Sequence, residues 1–216
     1  MLLEAGPFSA RLDRKTLYQD VSITLRENDF ALLRGPSGSG KTTLLRQVVG
    51  LHPAPRAQRK LLGRPFSPEE LPAFRRQCLY LSPNAPMLPG SIEENLRFPF
   101  GHKLAQAEFD PSLARRLCQS LGLGHLRWEQ DVKRLSLGER HRLALVRALV
   151  WRPAVILADE PFTGLDQANL QAAWHALLSF SQEANRAVLC VSHAEQGPGV
   201  TRLLALENQS LVVKEA

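Results

Sequence analysis

The chain of 216 residues is poor in cysteine, with only Cys78, Cys118 and Cys190, far apart in sequence. An odd count without a C-x-x-C pair offers no disulfide framework, so the three read as reduced core residues of a cytosolic protein. Long apolar runs are also missing. The densest stretch, Leu143 to Trp151, is broken by Arg147 and falls well short of the roughly 18 residues that a membrane-spanning helix needs. The chain is therefore expected not to cross a bilayer by itself. The N-terminal MLLEAGPF lacks a basic region followed by an apolar stretch of secretory length, which predicts a protein that stays where it is made. No block of five like charges occurs. The 27 Lys plus Arg, 21 of them Arg, are spread among 21 Asp plus Glu for a net charge of +6. That pattern excludes disorder and a histone-like tail. Heptads, internal repeats and low-complexity segments are absent, and with them a coiled-coil arm.

What is present suits one well-buried core: 44% of residues are apolar, and the length is too small for two large domains. Short apolar runs at Phe30 to Leu33, Ala154 to Leu157 and Ala187 to Val191 end abruptly in small, polar or Gly-rich residues. They read as buried strands. Their alternation with helical patterns predicts an α/β fold with a largely parallel sheet covered by helices. Apolar residues recur at helical spacing in 112–121 and 138–150. This predicts a mostly helical subdomain over about 85–150, inserted into an α/β core made of 1–84 and 151–216. His52 to Pro72 carries five prolines and reads as loops and short edge strands.

Residues 35–42, GPSGSGKT, satisfy G-x-x-x-x-G-K-[ST] between an apolar run, FALLR, and a helical pattern, TLLRQVV. Glycines let such a loop wind so that successive N–H groups point at phosphate oxygens, and the helix N-terminus adds its positive dipole end. Lys41 is placed to reach the β- and γ-phosphates of a nucleotide and Thr42 to ligate Mg²⁺. A second apolar run, AVILA, delivers Asp159 and Glu160 to the carboxyl edge of the sheet. There Asp159 can hold Mg²⁺ through water, and Glu160 can polarise a water for in-line attack on the γ-phosphate. A third run, VLCVSH, ends in His193, positioned to sense that phosphate, although a lone histidine is more often a satisfied surface or core residue.

The ordered set GPSGSGKT, LSLGER, VILADEP, TGLD and VSH, spread over nearly the whole chain, resembles the ATP-binding cassette (ABC) ATPases. The resemblance implies the P-loop NTPase fold in its ABC-ATPase form: a mostly parallel sheet with an N-terminal antiparallel β subdomain and an inserted α-helical subdomain, all in one ATPase domain. It implies ATP as substrate with Mg²⁺, bound by Gly35, Pro36, Ser37, Gly38, Ser39, Gly40, Lys41, Thr42 and Thr43, and catalysis by Glu160, His193 and Lys41. Ser136, Leu137, Gly138 and Glu139 match the signature loop, which would contact the γ-phosphate held by a second ABC subunit. Two head-to-tail copies, a homodimer in the simplest case, would thus enclose two ATP. Asp166 of TGLD matches a loop facing the opposite subunit. It reads equally as an N-cap for the helix that follows, and the two roles can coexist.

Three positions depart from the family pattern. Pro83 occupies the place of a glutamine that usually touches Mg²⁺, and proline has neither an amide side chain nor an N–H. Asn84 could substitute through a small backbone shift. Leu137 replaces a glycine, so its Cβ restricts φ and adds bulk beside the phosphate, which implies weaker sandwiching of ATP. For the aromatic on which the family stacks adenine, Phe8 is the candidate. Spacing could place Ala10 there instead, and Phe8 reads equally as core.

Taken together, the resemblance implies an ATP-hydrolysing transporter subunit on the cytoplasmic face of the membrane, driving a separately encoded permease that docks near 77–100. Met87, Leu88, Phe98 and Phe100 are candidate docking residues or, alternatively, packing of the helical subdomain. No specific nucleic-acid partner is expected. The short chain and ENLRFPF look most like small bacterial metal (iron) export cassettes. A soluble ABC ATPase with a nucleic-acid or regulatory role, or a weakly hydrolysing ATP sensor, is the alternative.

Overall fold

The computed structural model describes residues 1–101, 108–192 and 197–215. Along the chain, a hairpin of β1 (Leu3–Leu12) and β2 (Lys15–Leu25) leads to β3 (Phe30–Arg34), α1 (Lys41–Val48), β4 (Gln58–Leu61), β5 (Arg64–Phe66), α2 (Leu71–Gln77) and β6 (Cys78–Leu81). Then come α3 (Ile92–Arg97), α4 (Pro111–Ser120), α5 (Leu137–Trp151), β7 (Val155–Asp159), α6 (Gln167–Ser181), β8 (Ala187–Val191), β9 (Arg202–Glu207) and β10 (Ser210–Glu215).

The strands form two sheets. An antiparallel one has the order β2-β1-β4-β5, and a larger one the order β10-β9-β3-β8-β7-β6. In the larger sheet β9, β3, β8 and β7 run parallel, and β10 returns antiparallel on β9. All residues of β7 and β8, and four of the five in β3, are buried. Central parallel strands are covered on both faces, which is why they read as unbroken apolar runs rather than as alternation. The α/β class and its N-terminal antiparallel sheet are as expected from the sequence.

The chain forms two compact units. One comprises residues 1–80, 153–160 and 180–216, the other 81–152 and 161–179. In the first, Leu44, Leu45 and Val48 of α1 share one core with Phe8, Tyr18 and Ile23 of the small sheet and with Leu33, Leu157 and Leu189 of the large one. The C-terminal end and one flank of α1 are secured. At its C-terminus the buried Arg59 guanidinium donates to the carbonyls of Gln47 and Val48, each at 2.6 Å, and the Gln47 carbonyl also accepts from the Gly50 N–H at 3.0 Å, so the last helix acceptors are answered. On its flank Tyr18 Oη donates to Gln47 Oε1 at 2.8 Å, while Gln47 Nε2 donates to the carbonyls of Ser9 and Pro53.

The second unit centres on α5, against which α3 and α4 pack. Arg115 lies over the Trp128 ring at 4.2 Å, and Phe100 meets both Phe109 and Trp151 edge to face. The fully buried Asn95 carboxamide exchanges hydrogen bonds with both the N–H and the C=O of Leu88, pinning the segment before α3. Among the described residues no helix is long and apolar enough to cross a membrane.

A buried ion pair ties β9 to the turn before β3. Asp29 Oδ2 accepts from Arg202 Nη1 at 3.0 Å and from the Arg26 N–H at 2.7 Å, and Arg202 Nη1 also donates to the Thr24 carbonyl. Removing one partner leaves the other charge buried without compensation. Arg202→Ala is therefore expected to cost about 3 kcal/mol of unfolding free energy. Urea denaturation checks this; a loss below about 1 kcal/mol would show that the pair contributes little.

Candidate functional site

The phosphate loop leaves β3 at Gly35 and enters α1 through Gly40. Gly35 has φ 154°, and a Cβ there would lie 2.7 Å from the Leu206 carbonyl oxygen. Gly40 has φ 98°, and its Cβ would lie 2.8 Å from the Tyr18 ring. Both positions therefore need glycine twice over, for conformation and for space. The Ser39 N–H closes a turn onto the Pro36 carbonyl at 3.1 Å, and helix α1 starts with Leu44 N–H donating to Gly40 C=O. The N–H groups of the first turn, at Lys41, Thr42 and Thr43, have no acceptor inside the helix and are free to face an anion.

Lys41 is almost buried and bends back over the loop, where its Nζ donates to the carbonyls of Gly35 at 2.8 Å and Pro36 at 3.0 Å. The ammonium is thereby held above the loop as a fixed positive charge. Ser39 Oγ is buried without a protein hydrogen-bond partner, a group shaped for an oxyanion ligand. Pro36, Ser37, Gly38 and Ser39 also form one wall of a cleft of about 490 Å³, whose other walls are Arg14 with the start of β2 (15–17) and the end of β9 with the turn after it (206–209).

Asp159, the last residue of β7, is 1% exposed. Its Oδ1 accepts from Thr42 Oγ1 at 3.2 Å, and its Oδ2 accepts from Tyr80 Oη at 2.8 Å. Arg46 Nε in turn donates to Tyr80 Oη at 3.3 Å. Burial, together with the hydrogen bond and nearby charge of Asp159, pushes the Tyr80 phenol up to about 12, so it remains a proton donor near neutral pH. Sequence reading missed Tyr80. Its only signal was a tyrosine near the end of an apolar run just ahead of SPNAP.

Glu160 follows at φ 50°, in the left-handed region, with its N–H donating to the Val191 carbonyl at 3.0 Å. That turn at the strand exit directs two consecutive carboxylates along different paths, an uncommon conformation for a non-glycine residue. His193 lies outside the described residues.

In the second unit Ser136 caps α5 in a reciprocal box. Its Oγ accepts from the Glu139 N–H, while Glu139 Oε2 accepts from the Ser136 N–H at 2.8 Å and from its hydroxyl at 2.7 Å. His125 Nε2 lies 3.1 Å from the other Glu139 oxygen. Burial pushes the Glu139 carboxyl up, but the bonds from Ser136 and the neighbouring His125 more than offset it, holding the group below its ordinary value. Asp166 Oδ1 accepts from the Asn169 N–H at 2.9 Å, the expected cap of α6. Pro83 and Asn84 sit in a turn whose Ala85 N–H donates to the Ser82 carbonyl.

Two expectations are corrected. Phe8 is fully buried, packed in the core with the Arg59 guanidinium 5.8 Å over its ring, so it offers no face to a nucleobase. It points inward because it lies on the face of β1 that shares the core with α1. Ala10 has no ring to offer, and none of the residues lining the cleft is aromatic. Leu137 opens α5 as an ordinary helical residue without positive φ, and its side chain is 62% exposed. Its Cβ therefore imposes no backbone strain, and what it adds is bulk alone.

The profile of the ABC transporter family matches residues 18–163. The phosphonates import ATP-binding protein of Nostoc sp. is 33% identical over 187 residues, spanning 83% of this chain and 76% of that protein. The lipoprotein-releasing system ATP-binding protein of Hydrogenovibrio crunogenus is 34% identical, over 80% of this chain and 77% of that one. The probable iron export ATP-binding protein of Escherichia coli is 29% identical, over 84% and 79%. In fold, the chain is similar to an ATP-binding subunit of an ABC transporter (TM-score 0.85, 22% identity, 100% of this chain and 90% of that one). It is also similar to a dimeric ATP-binding cassette bound to ADP and phosphate (TM-score 0.80, 21% identity, 99% and 98%). A strand, a glycine-wound loop, a helix with its lysine over the loop and a buried aspartate facing its threonine thus occur on the fold and sequence of one family: the chain belongs to the ABC transporters, as an ATP-binding cassette.

Proposed function

We propose that this cassette hydrolyses Mg²⁺-ATP at a site completed by a second copy and drives a separate membrane permease from the cytoplasmic face. The observation that carries the reading is the Lys41 ammonium held over the glycine-wound loop beside the paired Thr42 hydroxyl and Asp159 carboxylate. Hydroxyl and carboxylate oxygens 3.2 Å apart are the hard donors that Mg²⁺ takes, and the pair fits that ion. When bound, Mg²⁺ neutralises charge building on the β- and γ-phosphate oxygens.

The chain's own residues do the rest. Loop N–H groups and Lys41 hold the phosphates in place, which is most of what phosphoryl transfer asks of a protein. Glu160 accepts the proton of a water attacking the γ-phosphorus, and the bond from that phosphorus to the bridging oxygen breaks toward ADP. His193, next after the buried Ser192, is assigned to the γ-phosphate on sequence position.

Ser136, Leu137, Gly138 and Glu139 belong to the face presented to the partner's ATP, with Asp166 beside the opposite subunit. A Cβ at Gly138 would meet nothing of its own unit closer than 3.7 Å, so the chain's own packing does not require a glycine there. A close approach by a phosphate would require one. Leu88 and Phe98, 38% and 47% exposed, suit a permease contact, whereas Phe100 packs within its own unit. Relatives named for phosphonate import, lipoprotein release and iron export have comparable identity to this chain, in keeping with cargo being read by the permease.

Lys41→Ala is expected to weaken ATP binding by about tenfold or more, since it removes a charge-assisted contact to phosphate. Glu160→Gln should leave ATP binding intact while lowering turnover roughly a hundredfold or more, and should accumulate an ATP-bound dimer. Nucleotide titration, phosphate release and size-exclusion chromatography measure these; a Glu160→Gln chain that hydrolyses ATP at the wild-type rate removes the assignment. Leu137→Gly, placed in the Glu160→Gln background, should dimerise at lower protein concentration because side-chain bulk at the seam is gone. An unchanged dimerisation constant would show that Leu137 does not obstruct the partner.

A further inference from the structure

We infer that Tyr80 is a positioning residue for the Asp159 carboxylate, holding it in the one orientation that leaves its Oδ1 facing Thr42. The inference rests on the proposed reading of Thr42 and Asp159 as the oxygen donors for Mg²⁺.

The geometry is a closed circuit that begins and ends on α1. Thr42 and Arg46 are four residues apart, on one face of the helix. Thr42 Oγ1 donates directly to Asp159 Oδ1 at 3.2 Å. Arg46 reaches the same carboxylate indirectly: its Nε donates to Tyr80 Oη at 3.3 Å, and that hydroxyl donates to Asp159 Oδ2 at 2.8 Å. A phenol has one proton and two lone pairs. With the Arg46 N–H directed at a lone pair, the proton is turned toward Asp159. Helix α1 contributes two members, Thr42 and Arg46, and β6 and β7 one each, so the carboxylate can rotate only by breaking a bond to one of two different elements.

A carboxylate that is 1% exposed has no water to satisfy an oxygen released by such a rotation. Tyr80 therefore performs two tasks with one bond. It satisfies Oδ2, and it fixes which oxygen is left for the threonine and the cation. Loss of a partner that orients a ligating carboxylate in this way commonly costs about ten- to a hundredfold in metal affinity. Tyr80 itself touches neither nucleotide phosphate nor cation in this arrangement and acts through Asp159.

Tyr80→Phe keeps the ring and removes only the hydroxyl. In the full chain, binding of a fluorescent ATP analogue is followed while free Mg²⁺ is raised, and again in chelator. Wild type is expected to bind more tightly as Mg²⁺ rises. The variant should need about tenfold more Mg²⁺ for the same gain, with binding in chelator and the melting temperature near wild type. Arg46→Met removes the donor behind the phenol, keeps Tyr80 itself and should shift the Mg²⁺ midpoint the same way by a smaller factor; it carries the test if Tyr80→Phe fails to fold. A midpoint equal to wild type in both variants, or an equal loss with and without Mg²⁺, overturns the role of Tyr80 alone. Wild-type binding that ignores Mg²⁺ overturns the metal reading, and this inference with it.

Discussion

A carboxylate with almost no exposure to water is tolerable only when both of its oxygens are answered, and Asp159 at the end of β7 meets that condition. Thr42 comes from the first turn of α1 and Tyr80 from β6, so satisfying one side chain fixes a helix and two strands together. The phosphate loop lies between β3 and this helix. Its geometry is thus set by a contact made beyond the loop itself, at the far end of a strand more than a hundred residues later in the chain.

Holding α1 in place is the second half of the same constraint. Arg59 answers the carbonyls at the C-terminal end, and the Tyr18 to Gln47 bond secures the flank, leaving the N-terminal amides aligned toward the loop. The buried Phe8 belongs to this arrangement. Its ring lies beneath the guanidinium that caps the helix, so an aromatic that suggested base stacking serves the helix that supports the phosphate site.

The second unit follows a similar economy of polar groups. Glu139 answers both the N–H and the hydroxyl of Ser136, and its other oxygen meets His125, so the start of α5 is ordered by its own side chains. Asn95 does the same for the segment before α3 through two bonds to Leu88. Leu137 and Gly138, the residues between the two ends of the capping box, are left with little to do inside their own unit.

Much of the fold and of the phosphate site was legible from local pattern. Fully buried parallel strands read as apolar runs, a turn that admits only glycine reads as glycine, and carboxylates after such a strand sit at the sheet's carboxyl edge. These features follow from near neighbours in sequence, which is why GPSGSGKT, Asp159 and Glu160 could be named without coordinates. Pairings between distant residues left no such trace. Tyr80 bonds to a residue 79 positions away, and Phe8 could have faced a ligand or the core until the packing of α1 and β4 closed over it. The amino-acid order alone thus determined where the glycine-wound loop and its lysine stand, because that depends on backbone freedom and adjacent charge. Only the tertiary structure decided how the buried carboxylate is oriented and which aromatic supports the helix, because those depend on which distant side chains are brought within bonding distance.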